Sequence, residues 1–257
     1  MEYALITGAS KGIGKAIAFE LAKKGYNLLL SGRNMFDLRE VSDRIKHEYS
    51  IDIRYFGADL SEPTGAEKLF EWAIDQKVDI RILVNNAGSG KVGKFISYST
   101  EEYQKMIQLN CQSALKLCHL FYPVLVGKGP SYILNIASTS AYQSVPYLSV
   151  YSATKSFLLS FSRALNQEWK KRGLSVTAAS PGPTTTHFNE NANVSEKADK
   201  AAKRFSMTAE EVAKSAVKAM FQKKPEKIIG LINQFGAFMT NFLPKSMIES
   251  IAMQLYK

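Results

Sequence analysis

The 257-residue chain is 46% apolar and 22% charged, a folded-protein balance that excludes a disordered or fibrous class. Thirty-three Lys and Arg against 23 Asp and Glu leave a formal net charge of +10, but these bases are scattered, clustering only at Lys170-Lys171-Arg172 and Lys223-Lys224, so no nucleic-acid site is expected. Cys111 and Cys118 stand roughly 10 Å apart on one helix at ~1.5 Å rise per residue, too far for a disulfide; free thiols suit a reducing cytoplasm, and neither a signal peptide nor an apolar run of ~20 residues that would cross a membrane is expected.

The first unit is a strand over 3–7, the loop Thr7-Gly8-Ala9-Ser10-Lys11-Gly12-Ile13-Gly14, and a helix to Lys24 closed by Gly25. Strand, glycine loop and helix in that order suit a dinucleotide phosphate. Glycine lets the backbone turn tightly and come close, and the helix start supplies N–H groups and a positive dipole end. A tight turn uses glycine without any ligand as well, and the first two glycines here have three residues between them rather than the one of GxGxxG. A second strand over 27–31 ends in Gly32-Arg33 with no acid beside it. An acid there holds ribose hydroxyls, whereas a base suits a 2′-phosphate. Arg33 and Lys11 are each ordinary surface charge when taken singly; together they favour NADP(H).

A third strand over 53–56 runs into Gly57-Ala58-Asp59-Leu60, and a fourth over 81–84 into Asn85-Asn86-Ala87-Gly88. Polar and glycine residues gathered at strand carboxyl ends mark the crevice of an open parallel sheet, although Asp59 is equally suited to capping the next helix. Ser99 with Glu102 forms a capping box for a helix whose interior carries Asn110. The stretch NIASTSAYQSVPYLSVYSATK over 135–155 starts as a strand that delivers Ser138, then sets Tyr151 and Lys155 four positions apart. Residues four apart share a helix face. The pair is either a solvated helix pair or a cation placed to lower a phenol pKa from ~10 and make Tyr151 a proton donor beside Ser138.

That helix is expected to stop at Gly173. A strand over 174–179 leads to Pro181-Gly182-Pro183-Thr184-Thr185-Thr186, and the following residues, with His187 and Phe188, read as a lid. Thr208 with Glu211 opens another helix, and a short strand over 227–230 follows. The alternation predicts a single α/β domain, a Rossmann-like doubly wound parallel sheet of about seven strands with helices on both faces. In an apolar extension over 231–257, Leu231, Phe235, Phe238, Met239 and Phe242 recur at helical spacing. Such a face packs on its own domain or a twin subunit, lines a lipophilic site, or makes peripheral membrane contact. His47, His119 and His187 have no carboxylate at ligand spacing, so no metal site is expected.

Assembled, these residues resemble the classical short-chain dehydrogenase/reductase family over nearly the whole length to about residue 230, in a branch with a longer apolar C-terminus. Thr7 to Gly14 matches the TGxxxGxG loop, Asn85 to Gly88 matches NNAG, and Ser138, Tyr151 and Lys155 match the serine and YxxxK positions, with Asn110 at the fourth catalytic place. The resemblance implies an NADP(H)-favouring oxidoreductase that interconverts a carbonyl compound and its alcohol by hydride transfer. It implies that Tyr151 is the general acid/base, that Ser138 bonds the same oxygen, that Lys155 tunes the tyrosine and binds ribose, and that Asn110 holds a water. The implied cofactor contacts are Gly8, Ser10, Lys11, Gly12, Ile13, Gly14 and Arg33; Asp59 and Leu60 near adenine; Asn86, Ala87 and Gly88; Tyr151 and Lys155; and Pro181, Gly182, Thr184 and Thr186 in a loop over the nicotinamide. Thr184 replaces a usual aliphatic residue. A homodimer or homotetramer that buries the Tyr151 helix is also implied. Phe95, Ile96, Tyr98, residues 142–147 and Phe188 suggest an apolar or mid-sized carbonyl substrate, a 3-oxoacyl chain among the candidates. The other class open to such a fold is a non-catalytic NADP(H)-binding redox sensor, against which stand the four filled catalytic positions.

Overall fold

A computed structural model describes residues 1–185, 206–240 and 242–256. Strand and helix alternate as β1 (Glu2–Thr7), α1 (Gly12–Ala22), β2 (Asn27–Gly32), α2 (Met35–Glu48), β3 (Ile53–Gly57), α3 (Gly65–Asp75) and β4 (Asp79–Asn85). There follow α4 (Thr100–Ile107), α5 (Ser113–Leu125), β5 (Ser131–Ile136), α6 (Ser149–Trp169) and β6 (Leu174–Pro181). After the short pair β7 (Thr184–Thr185) and β8 (Met207–Thr208) come α7 (Ala209–Phe221), β9 (Glu226–Ile229), α8 (Leu231–Met239) and α9 (Lys245–Tyr256).

Seven strands form one sheet in the order β3-β2-β1-β4-β5-β6-β9, with every pairing parallel. The sequence explains why. The strands are near-continuous apolar runs, as expected where helices cover both faces and no strand face meets water. Successive side chains point to opposite faces. Ile6, Leu28, Leu30 and Val84 therefore pack with Ile17 and Leu21 of α1, Val41 of α2 and Val212 and Met220 of α7. Leu5, Leu29, Leu83 and Ile133 pack instead with Leu69 of α3, Leu117 and Phe121 of α5 and Leu165 of α6. Each fully buried Leu or Ile contributes roughly 1.5–3 kcal/mol, so the two layers set the strand register on which the site depends.

The order of strands reverses between β1 and β4, and such a reversal leaves a crevice beyond the strand carboxyl ends. Both predicted capping boxes form, at Ser99 with Glu102 and at Thr208 with Glu211. Gly173 closes the α6 segment at φ +81°, a left-handed value that glycine adopts at little cost. The tail forms two helices. Of α8 only Ala237 is buried, so the predicted stripe of Leu231, Phe235, Phe238 and Phe242 faces outward, whereas Ile248 and Ala252 of α9 are buried. Among the described residues no helix is long and apolar enough to cross a membrane.

Candidate functional site

At the end of β1, Thr7 is a buried knot. Its Oγ1 accepts from the backbone N–H groups of Asn86 (3.0 Å) and Ala87 (3.1 Å) and donates to the Val84 carbonyl (3.2 Å). Asn86 Nδ2 in turn donates to the carbonyls of Thr7 and Gly8 at 3.0 and 3.1 Å. The glycine loop is thus bolted to the loop after β4. Gly8 sits at φ +63°, which a residue with a Cβ rarely adopts. At Gly14 the reason is space: a Cβ there would lie 2.2 Å from the Gly8 carbonyl oxygen and 2.4 Å from Asn86 Nδ2. Helix α1 begins at Gly12 after Lys11 in the N-cap position, with no side-chain cap and no acid in its first turn, so nothing of its own neutralises the dipole. Backbone cradle and uncapped helix start fit a dinucleotide pyrophosphate.

Around the outer end of this cradle stand the residues expected to choose the cofactor. Arg33 is exposed just past β2. Lys11 Nζ pairs with Asp37 Oδ2 at 3.1 Å, so an acid does lie near, on the first turn of α2. Asp59 does not cap α3, whose N-cap is Thr64. Its Oδ1 instead accepts from Ser61 N (2.9 Å) and Ser61 Oγ (2.6 Å). Burial raises the Asp59 pKa, but these hydrogen bonds and the charges of Arg33 and Lys105 outweigh it and hold the carboxyl below its ordinary value. Leu60 is buried in the core layer that holds Leu5 and Leu29, which leaves its backbone as the part a ligand could meet.

The four predicted catalytic residues come from three elements. Ser138 follows β5 and caps a short 3₁₀ turn over Thr139–Tyr142, its Oγ accepting from Ser140 N at 3.2 Å. Tyr151 and Lys155 lie on α6. The pair is not a solvated one: Lys155 is 5% exposed, its Nζ donates to the Ile136 carbonyl at 2.8 Å, and that ammonium is 5.7 Å from the Tyr151 ring centroid. Burial pulls the Lys155 pKa from 10.5 down to about 8. Asn110 occupies a π-helical turn, Gln108–Gln112, between α4 and α5. Its Oδ1 accepts from Ser89 N (2.9 Å), and its Nδ2 donates to Ser89 O (2.9 Å) and Thr154 Oγ1 (3.0 Å). Thr154 Oγ1 donates onward to the Tyr151 carbonyl at 2.7 Å. A Cβ on Gly88 would lie 3.3 Å from Asn110 Oδ1 and 3.4 Å from Lys155 Nζ, so the backbone after β4 meets both side chains. β6 brings Pro181 and Gly182 to the same end of the sheet, where Thr184 Oγ1 donates to the Gly182 carbonyl at 3.0 Å. Thr186, His187 and Phe188 lie outside the described residues.

Beside the Tyr151 ring is a buried apolar group, Val92, Val145, Leu148 and Ala252, the last from α9. Phe95 stacks on Tyr103 at 5.1 Å, and both Phe95 and Ile96 are exposed. The Tyr142 hydroxyl is committed to β6 and β9, donating to Glu226 Oε1 at 2.6 Å and lying 3.1 Å from Ser180 Oγ. Burial, with the Glu226 carboxylate, pushes its pKa up. A cavity of about 590 Å³ lies on the outer face of α6, lined by Gln143, Ser152, Ser156, Thr240, Lys245 and Ile248 among others but not by Ser138 or Tyr151. It lies apart from the four predicted residues, of which Asn110 bonds to Ser89 and Thr154, Ser138 to Ser140, and Lys155 to the Ile136 carbonyl.

The model of the short chain dehydrogenase family matches residues 2–197, a span that takes in the glycine loop, Asn110, Ser138, Tyr151, Lys155 and Pro181-Gly182. The chain belongs to the short chain dehydrogenase family. Within it, the very-long-chain 3-oxoacyl-CoA reductase of Rattus norvegicus is 36% identical over 191 residues, which cover 70% of this chain but 58% of the rat protein. An uncharacterized oxidoreductase of Staphylococcus epidermidis is 30% identical over 219 residues, 85% of this chain and 90% of that protein. Among solved structures, a short-chain dehydrogenase from Sphingobium yanoikuyae in complex with NADPH is 26% identical with a TM-score of 0.82, covering 96% of this chain and 98% of that one.

Three residues of this short chain dehydrogenase that organise the site, Thr154, Asp37 and Asn233, escaped the reading of its sequence, which showed Thr7 only as the first position of the glycine motif. Thr7 and Thr154 carry their roles in hydrogen bonds to partners far along the chain or inside a helix, for which no spacing rule exists. Asp37 had a visible signal, an acid in a first helical turn, but its pairing with Lys11 depends on how α1 and α2 sit together. Asn233, on α8, fills the space beside Gly182.

Proposed function

We propose that this short chain dehydrogenase is a nicotinamide-dependent oxidoreductase that interconverts a carbonyl compound and its alcohol, with Tyr151 as general acid/base and NADP(H) as preferred cofactor. The observation that carries the reading is the buried Lys155 ammonium 5.7 Å from the Tyr151 ring. A cation beside a phenol favours the phenolate, which lowers the cost of giving up the proton. Bound NADP(H) supplies the hydride that passes between its nicotinamide and the carbonyl carbon. Tyr151 delivers the proton to the developing alkoxide, and Ser138 donates a hydrogen bond to the same oxygen. Lys155 would hold the nicotinamide ribose as well as tuning Tyr151. Asn110, whose carboxamide is committed to Ser89 and Thr154, keeps the π-helical turn against α6 and with it a path by which a water resupplies the proton.

Gly8, Ser10, Gly12, Ile13 and Gly14 would hold the pyrophosphate and Arg33 with Lys11 the 2′-phosphate. Asp59 and the backbone of Leu60 would meet the adenine, Asn86, Ala87 and Gly88 the nearer ribose, and Pro181, Gly182, Thr184 and Thr186 the nicotinamide. The NADPH bound to the Sphingobium structure supports the cofactor choice. The apolar group against Tyr151 and the rat 3-oxoacyl-CoA reductase support a carbonyl substrate with an apolar, lipid-like flank. The chain is taken as a single domain, tail included. Exposed Leu115 of α5 and Phe157 of α6 suit a homodimer or homotetramer, and free, buried Cys111 and Cys118 suit the cytoplasm.

The test is NADPH oxidation against a panel of ketones, aldehydes and 3-oxoacyl thioesters by wild type and Tyr151→Phe. The variant should bind NADPH as before and lose turnover by ~10²–10⁴-fold, the usual effect of removing a positioned acid. Unimpaired reduction would overturn the assignment, and a wild type that binds NADPH but reduces nothing on the panel would favour the sensor.

A further inference from the structure

The extension beyond β9 is held to the sheet by two side-chain amides in the first turn of α8. Gln234 Nε2 donates to the Ile228 carbonyl at 3.0 Å and Asn233 Nδ2 to the Ile229 carbonyl at 2.7 Å. Ile229 pairs with Pro181 across the β6–β9 ladder, so Asn233 sits at the root of the Pro181-Gly182-Pro183 turn. There it fills the space in front of Gly182. A Cβ on Gly182 would lie 2.3 Å from Asn233 Nδ2, 2.5 Å from its Oδ1 and 2.6 Å from its Cγ. Gly182 is not among the glycines at positive φ, so space rather than conformation demands glycine at this place. Gly230, the residue that joins β9 to α8, is held to glycine both by a left-handed φ of +93° and by space, its Cβ coming within 2.8 Å of Asn233 Nδ2.

Asn233 cannot move aside freely. Swinging its amide away breaks the bond to Ile229 and leaves a carbonyl at a strand end without that donor. The Gly182 backbone is therefore held against a fixed carboxamide on one side and by Thr184 Oγ1 on its carbonyl on the other. Since α8 buries only Ala237, these two amides tie it directly to β9, and whatever steadies α8 acts on the turn through them.

We propose that Asn233 is a positioning residue for cofactor closure: the apolar extension acts on NADP(H) binding by fixing, through Asn233, the backbone of the Pro181-Gly182-Pro183 turn. This rests on the reading of that turn as the segment over the nicotinamide. Asn233 itself touches no reacting atom. Its effect should fall on the cofactor and not on the proton-transfer groups.

The test is a double-mutant set, with NADPH affinity from equilibrium fluorescence titration and melting of each protein without ligand. Asn233→Ala should weaken NADPH binding by about 10-fold, the scale that coupling between contacting residues allows, with the carbonyl KM and the pH profile of turnover unmoved. Gly182→Ala should weaken it further. Gly182→Ala with Asn233→Ala should bind no worse than Asn233→Ala alone, because the carboxamide that the new methyl would strike is gone. If Gly182→Ala alone does not fold, recovery of a folded, NADPH-binding protein in the double variant supports the proposal, and its failure to recover overturns it. Wild-type affinity in Asn233→Ala, or losses that simply add in the double variant, also overturn it. A wild type that binds neither NADPH nor NADH refutes the reading beneath, and the proposal with it.

Discussion

Replacing Lys155 by Met should make the protein more stable at neutral pH while abolishing its turnover. Burial brings the ammonium pKa from 10.5 in the open chain to about 8 in the fold. Each unit corresponds to about 1.4 kcal/mol, so carrying the charged form at pH 7 costs the folded state about 3 kcal/mol. The folded value lies below the unfolded one, so between pH 8 and 10.5 the unfolded chain binds more protons, and stability rises with pH across that window. Below pH 8 the cost is fully present; by pH 10 it has fallen to about 1 kcal/mol or less. Met has a similar apolar stem and no charge, but it abandons the hydrogen bond to Ile136, worth about 1 kcal/mol. The net expectation is a gain of about 2 kcal/mol at pH 7 that shrinks to nothing near pH 10. Urea unfolding of both proteins without ligand at pH 7, 8.5 and 10 reads the difference directly, since groups that titrate alike in both drop out. A gap that does not change with pH, or a variant less stable at pH 7, would refute the reasoning.

Gly14→Ala places a methyl against the Gly8 carbonyl and Asn86 Nδ2; it should destabilise by roughly 1–3 kcal/mol and lose nucleotide affinity, and an unchanged melting temperature and NADPH Kd would contradict the packing. Arg33→Ala should weaken NADPH by about 10-fold, the value of one charge-assisted hydrogen bond, and leave NADH alone; tighter binding of NADH than NADPH by the wild type would remove the role given to Arg33 and Lys11. Tyr142→Phe withdraws a hydroxyl from Glu226 and Ser180 while Glu226 keeps its 2.9 Å contact with Arg163. It should cost about 1–2 kcal/mol in urea unfolding, with the activity of the remaining folded protein retained.

Much of the site was legible because its motifs are local. Gly8, Gly12 and Gly14 belong to one turn, and Tyr151 and Lys155 to one helical repeat, so residue type and spacing suffice to recognise them. The capping boxes at Ser99 and Thr208 are legible for the same reason. Readings that required a neighbour from another element fared less well. Asp59, open between an adenine contact and a cap, does not cap α3, because the helix begins only after Thr64 once the chain has turned on Ser61. Tyr142, expected in an aromatic pocket, turns its hydroxyl to Glu226, 84 positions away. The apolar stripe of α8 was visible as a stripe, but its period cannot say that it would face outward.

The sequence by itself determined the order of the parts: a glycine turn after the first strand, a serine and a YxxxK pair near the middle, a proline-glycine turn later. Backbone sterics and helical repeat act over a few residues, and a few residues are enough to specify them. Only the tertiary structure decided the electrostatics. Lys155 is perturbed because the sheet order buries it under Ile136 and the loop after β4, and burial is a property of neighbours that no spacing along α6 encodes. Asn86 fastens the glycine loop from 79 positions away, Asp37 meets Lys11 only once α1 and α2 have docked, and Gly182 owes its identity to the carboxamide of Asn233 across the β6–β9 ladder.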